Sequence, residues 1–319
     1  MPFRIPYDII LFMDDNCAIG RFAPTPSGFM HAGNLLCAVL AYASVKSKGG
    51  KFLVRIEDVD AERCPRSAAT AITETLAALG IKSDGPVIYQ SERNETYASA
   101  LKKISGRARV YPCFCSRAEL HAEGIERLPD GGILYPRTCA RLTKEQAELR
   151  SAAASPALRL TVPDEIVEFT DGIMGAQKQN LARECGDFII RRSDGVYAYQ
   201  LAVTVDDGEC GVTEVVRGAD LLYDTPRQIY LQRLLDFPEP RYYHIPLAVK
   251  SDGSKLSKSA GDSAERLLKR IRVNTLLGAL GYAAGLLDEN RDATLDELVA
   301  LYSPDKITRE CIRLPSILE

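Results

Sequence analysis

Two short motifs and a trio of thiols in this chain have the residue types to do chemistry. In RFAPTPSGFMHAGN, Arg21 to Asn34, a histidine and an asparagine stand three positions apart around Gly33, where a loop rich in Pro and Gly gives way to an apolar-faced helix. The start of a helix offers unpaired N–H groups and partial positive charge, and a glycine lets a nucleotide approach the backbone. His31, Gly33 and Asn34 therefore suit nucleotide phosphates. About 220 residues later, SDGSKLSKS sets Lys255 and Lys258 among serines in a loop with a glycine. Ammonium groups there could neutralise charge developing on a triphosphate under attack. Between these motifs lie Cys113, Cys115 and Cys139, with Tyr135 or His121 as a fourth donor for tetrahedral zinc. A Cys-x-Cys pair cannot close an unstrained disulfide, which favours a metal over a bridge. Each motif alone has a plainer reading: a His-capped helix, a solvated loop, buried reduced cysteines.

The elements that must position these residues follow from periodicity. Ala18 to Ala23 reads as a short strand, Gly33 to Lys48 as an apolar-faced helix, and KFLVRIED, from Lys51, as a buried parallel strand. Strand, helix and strand make a βαβ unit, so the opening is doubly wound α/β. Ser67 to Leu79 and Asn94 to Ile104 read as further helices packed on the sheet. From Tyr111 to Leu142 the pattern breaks into Cys, Gly and Pro, the mark of an insertion with little core of its own. Strand-like runs return in ALRLTV, DFIIRR, YAYQLAVTVDD and VTEVVRG. After the loop at Ser251 to Gly261 a helical tail closes the chain, with Leu267, Ile271, Leu276, Leu277 and Leu280 as its apolar side. There is no internal repeat.

Composition narrows the classes. With 319 residues, 46% of them hydrophobic, the chain can build two domains or one elaborated α/β domain. No apolar run approaches the roughly 20 residues needed to cross a bilayer, and Ile9 to Met13 is stopped by Asp14 and Asp15. The leader lacks a small-residue cleavage site and runs straight into the first motif, so it reads as an appendage and not a signal. Nine cysteines, an odd number in a chain of this length, point to a reducing cytoplasm. A net charge of −3 confines any nucleic-acid contact to local basic stretches such as Arg93 to Arg109 and Lys250 to Arg272.

Taken together, HAGN and KLSKS resemble the two signature motifs of class I aminoacyl-tRNA synthetases. RFAPTPSG, VRIEDVD, YQLAVTVDD and VVRGADLL also resemble glutamyl-tRNA synthetases in order and approximate spacing, over roughly residues 20 to 260. The resemblance implies an α/β fold with a Rossmann-type doubly wound parallel sheet, a zinc-bearing insertion and a C-terminal helical region. The expected divisions are a leader at 1–19, the first half of the catalytic domain at 20–110, the insertion at 111–198, the second half with the KLSKS loop at 199–262, and the helical region at 263–319.

It also implies ATP with Mg²⁺ and L-glutamate as substrates. Glutamate brings two carboxylates and an ammonium, so its pocket needs two cations and one anion on rigid elements, a need that Arg21, Arg217 and Glu57 fit. By resemblance Arg21, Ala23 and Thr25 line the glutamate site, Glu57 takes the α-amino group, and Tyr199 with Arg217 completes it. His31, Gly33, Asn34 and Lys258 would hold ATP, and His31, Asn34, Lys255 and Lys258 would carry catalysis. Asn34 stands where many relatives have a second histidine, which removes a possible cation. The pattern C-x-C followed by Y-x-x-x-C is similar to the zinc site of one branch of the family, and that similarity makes Tyr135 the fourth ligand.

Full-length glutamyl-tRNA synthetases continue into a large helical anticodon-binding domain, whereas this chain runs only about 60 residues past KLSKS. The resemblance is thus to the branch that activates glutamate without tRNA and transfers it to queuosine at the wobble position of tRNA(Asp), acting as a monomer. The rivals are a truncated enzyme that charges tRNA acceptor ends and an inactive, zinc-bearing RNA-binding relative.

Overall fold

The computed structural model describes residues 17–120, 126–128, 131–254, 256 and 263–318. Most of the leader, His121, Lys255 and Lys258 lie outside the described residues.

The chain opens with β1 (Ile19–Phe22), α1 (Ala32–Lys46) and β2 (Lys51–Ile56), the expected βαβ unit. β1 and β2 pair in parallel from Ile19 opposite Lys51 to Phe22 opposite Val54. Every residue of β1 is buried, and so are Phe52, Val54, Arg55 and Ile56 of β2, as strands covered on both faces require. Then come α2 (Arg66–Ala78), β3 (Ile88–Tyr89) and α3 (Asn94–Ser105). The later strands of this sheet are β6 (Ile166–Asp171), β7 (Gly175–Asn180), β9 (Glu214–Gly218) and β10 (Arg241–Ile245). Its seven strands run in the order β3-β2-β1-β9-β10-β6-β7, parallel except for β7, which turns back on β6 as a hairpin.

Strand order steps outward from β1 through β2 to β3, while β9 pairs on the other side of β1. Such a reversal opens a crevice at the carboxyl ends of the two central strands, where ligands of doubly wound sheets bind. The core is divided by the sheet. One hydrophobic cluster includes Val216 and joins α1 and α2 to the C-terminal helices α7 (Ala264–Arg270), α8 (Val273–Ala283) and α9 (Leu295–Leu301). The other includes Val215 and joins α3 to α5 (Tyr199–Glu209) and α6 (Thr225–Leu235). Adjacent Val215 and Val216 fall in different clusters because successive strand residues point to opposite faces.

Three expectations are corrected. YAYQLAVTVDD is not a strand: it forms α5, whose Leu201, Ala202, Val203, Val205, Asp206 and Asp207 are all buried. A helix enclosed on every side loses its polar stripe, and its β-branched residues then imitate a strand. The segment 111–198 is not one separate insertion. β4 (Val110–Cys113), β5 (Ala157–Leu160) and β8 (Phe188–Arg191) make a small antiparallel sheet with α4 (Lys144–Ala153) beside it, but the β6–β7 hairpin between them joins the main sheet by pairing Asp171 with Tyr242. Its alternation was present in IVEFTD, with Ile166 and Glu168 exposed and Val167 buried. Finally, the C-terminal region is helical through α9 but then forms β12 (Ile312–Arg313), which pairs in parallel with β11 (Ala248–Val249) just before the KLSKS segment.

Candidate active site

Three strands deliver one charged group each to the switch point: Arg21 on β1, Glu57 just beyond β2, and Arg217 on β9. All three are at least nine-tenths buried. Tyr199, the first residue of α5, is close enough to feel their charge. Burial raises its phenol above the ordinary value, with Glu57 adding to the shift and the arginines opposing it. Ala23 and Thr25 lie in the loop leaving β1, which is tied to β2 where Pro24 accepts from the Glu57 amide at 3.0 Å.

What fixes these groups was not foreseen. Arg55 on β2 is 1% exposed and donates to Asp207 at 2.6 Å and to Glu57 at 3.2 Å. Asp207 also takes Arg21 Nε at 3.1 Å, so one carboxylate on α5 pins two arginines on two strands. Its neighbour Asp206 accepts from Gln90, Arg93 and Tyr97 at 2.7 to 3.1 Å, which locks the C-terminal part of α5 against α3. Burial works against the Asp207 charge, but Arg21 and Arg55 overcome it and hold the group below the ordinary carboxylate value. For Glu57 the balance goes the other way: burial raises its pKa despite Arg55 and Arg21. The only hints in the sequence were an arginine inside an apolar strand and a pair of aspartates ending a hydrophobic run.

Arg217 differs from the other arginines. Its Nε donates to His244 at 3.0 Å and its Nη2 to Thr225 at 3.0 Å, while Nη1 is buried with no partner. Among the described residues no carboxylate pairs with it.

At the other lip of the crevice, His31 precedes α1 and its N–H donates to Asn34 Oδ1 at 3.0 Å, which shapes the helix start. A Cβ on Gly33 would sit 3.1 Å from the His31 ring and 3.3 Å from Leu256. HAGN and the Leu256 of KLSKS therefore meet, as a shared nucleotide site needs. The whole arrangement can hold a small molecule bearing an ammonium and carboxylates next to nucleotide phosphates.

A second cluster lies in the small-sheet module. Cys113, Cys115 and Cys139 bring their sulfurs within 4.8 Å of one another, and Tyr135 Oη stands 3.5 Å from both Cys113 and Cys115. The three cysteines are free thiols. The Phe114 amide donates to Cys139 at 3.3 Å, and Arg159 donates to Cys113 at 3.2 Å with its guanidinium 3.8 Å above the Tyr135 ring. Burial pushes Cys115 up to about 11, whereas for Cys139 it is outweighed by donors led by the Phe114 amide, which lower that thiol. Three sulfurs and a phenol oxygen converging on one point, ringed by donors, fit a metal ion.

The catalytic-domain model for class I tRNA synthetases (E and Q) matches residues 19–272. The chain is 44% identical to the glutamyl-Q tRNA(Asp) synthetase of Pseudomonas entomophila, covering 93% of this chain and 97% of that one. It is 43% identical to the protein of the same name from Neisseria meningitidis serogroup B, covering 93% and 99%. The crystal structure of a glutamate tRNA ligase from Elizabethkingia meningosepticum superposes with a TM-score of 0.82 at 24% identity, over 94% of this chain and 68% of that one, and shares its fold. The chain is a class I tRNA synthetase-type enzyme and belongs to the glutamyl-Q tRNA(Asp) synthetase family.

Proposed function

We propose that this enzyme activates L-glutamate with ATP and Mg²⁺, without tRNA, and transfers it to the queuosine base at the wobble position of tRNA(Asp). The observation that carries the reading is the crevice itself, where a buried carboxylate and a buried arginine that has no carboxylate partner among the described residues lie at the carboxyl ends of the strands, on the side where the HAGN helix starts. Glu57 takes the α-ammonium, whose charge offsets the burial that raises this carboxyl. Arg21, Ala23, Thr25, Tyr199 and Arg217 enclose the rest of the amino acid. His31, Gly33 and Asn34 hold ATP phosphates, and Lys255 and Lys258 stabilise the charge that develops on them.

One α-carboxylate oxygen attacks the α-phosphorus in line, giving glutamyl-adenylate as pyrophosphate leaves. A hydroxyl of the queuosine ring then attacks the acyl carbon, the ester forms and AMP departs. The protein supplies positioning and charge, and no covalent intermediate on the chain is needed. Cys113, Cys115, Tyr135 and Cys139 would hold one zinc ion; four protein donors leave no site for an activated water, so its role is structural.

The test is isotope exchange between pyrophosphate and ATP, followed by glutamylation of tRNA. Exchange with glutamate alone, and transfer to tRNA(Asp) carrying queuosine but not to tRNA(Asp) lacking it, is the expected outcome. Exchange that begins only on adding tRNA, or charging of acceptor ends, would return the chain to the ordinary glutamyl-tRNA synthetases.

A further inference from the structure

The pocket arginine on β9 is held in an unusual way. In the sheet, Arg217 of β9 lies directly opposite His244 of β10, and Asp171 at the end of β6 pairs beside β10 at Tyr242. Three adjacent strands thus give one residue each to a line: Arg217 Nε donates to His244 Nε2 at 3.0 Å, and His244 Nδ1 meets Asp171 Oδ2 at 2.6 Å. His244 is 0% exposed and Asp171 2%.

The hydrogen-bond directions are forced. Asp171 Oδ1 accepts the amides of Ile173 and Met174 at 3.0 and 2.8 Å, and the carboxylate also accepts the His244 amide at 3.1 Å. A carboxylate satisfied by that many N–H groups is an acceptor only, so Nδ1 of the ring must carry the proton. Nε2 is then left with a lone pair, which the Arg217 Nε–H fills. On the same edge Nη2 donates to Thr225 Oγ1, which lies 3.3 Å from His244 Nε2 and in turn bonds to the Leu221 carbonyl at 3.2 Å. Two anchors set the plane of the guanidinium and leave Nη1 buried and unmatched.

The chemistry of the anchors matters more than their number. An aspartate placed directly on Arg217 would orient it equally well but would cancel its charge, as Asp207, Asp206 and Glu57 together do around Arg21 and Arg55. A neutral imidazole and a hydroxyl orient it without cancelling anything, and the Asp171 charge stays one ring further away. A buried cation kept free of a counterion has its strongest partner in an incoming carboxylate. We propose that His244 and Asp171 are positioning residues that orient Arg217 toward a substrate carboxylate while leaving its charge unneutralised, an inference that rests on the glutamate-activating reading above.

The experiment is glutamate-dependent pyrophosphate exchange by wild type, His244→Leu, His244→Gln and Thr225→Val. His244→Leu removes the acceptor, and KM for glutamate should rise about 10- to 100-fold, the scale of one charge-assisted hydrogen bond, with KM for ATP within about twofold of wild type. His244→Gln can offer an amide oxygen to Arg217 and should recover most of the loss. Thr225→Val, which conserves shape and frees Nη2, should raise KM for glutamate in the same selective way even if His244→Leu folds poorly. An unchanged KM for glutamate in both His244→Leu and Thr225→Val, or equal losses for glutamate and ATP that glutamine at 244 does not repair, would overturn the inference and leave the glutamate reading intact. Wild type without glutamate-dependent exchange would overturn both.

Discussion

At the scale of the residue, the proposed function separates groups that would meet a ligand from groups that hold them in place. Glu57 is the clearest candidate of the first kind, a carboxyl raised by burial in a pocket that otherwise gathers arginines. Glu57→Gln keeps its volume but removes the counter-charge for an ammonium, so KM for glutamate should rise on the order of tenfold or more while KM for ATP holds. Titrating exchange rate against each substrate checks this, and a parallel rise for both would mean that Glu57 supports the fold through Arg55 instead. The residues proposed for ligand roles stand out in the sequence because they sit in motifs of distinctive composition. Their supports do not. Arg55, Asp207, His244 and Asp171 are ordinary residues in apolar surroundings, distributed over β2, α5, β10 and β6, and only the strand order brings them together.

At the scale of the element, legibility followed exposure. α2 and α3 each keep a polar side and were placed to within a residue or two, whereas α5 is enclosed and read as a strand. The cysteine module is marked in the sequence by its donors alone, and among the described residues the cluster around them is Tyr111, Cys113, Tyr135 and Cys139 with a few half-buried neighbours. The small sheet packs into the second core through Leu160, Phe188 and Ile190, and ligand bonds to zinc would supply the constraint around the donors themselves. Protein purified without added metal should therefore carry about one zinc per chain. Cys139→Ser should lose it, keep most of the pyrophosphate exchange and fail in tRNA glutamylation, since the site on β1, β2 and β9 shares no residue with the module. Elemental analysis beside the two assays decides it: zinc near zero in wild type would leave the thiols as plain core residues, and equal loss of both activities would tie the module to the catalytic crevice.

At the scale of the whole molecule, buried charges hold the sheet together across its strands, and this makes stability depend on pH in a way that can be worked out group by group. Burial keeps His244 neutral, its pKa lowered below the ordinary 6.5 in spite of Asp171. Its contribution is complete above 6.5 and is lost as pH falls from there toward the folded value, because the unfolded chain takes up a proton that the folded one refuses. Asp207 and Asp171 are lowered from 3.8, burial in both being outweighed by their donors, so their contributions are present above 3.8 and vanish only as pH falls through the folded values. Glu57 opposes this trend, since a carboxyl raised from 4.5 favours the folded state as pH drops through its raised pKa. Thermal unfolding should thus show a first decline in Tm below about pH 6.5 and a steeper one below about pH 4. His244→Gln cannot titrate and should flatten the first decline while keeping the Asp207 part of the second, because Asp207, Arg21 and Arg55 are untouched; the Asp171 part changes with the loss of its imidazole donor. Scanning calorimetry of both proteins across pH 3.5 to 8 reads the difference directly, and a first decline equally steep in the variant would move its origin from the β6–β9–β10 line to other groups.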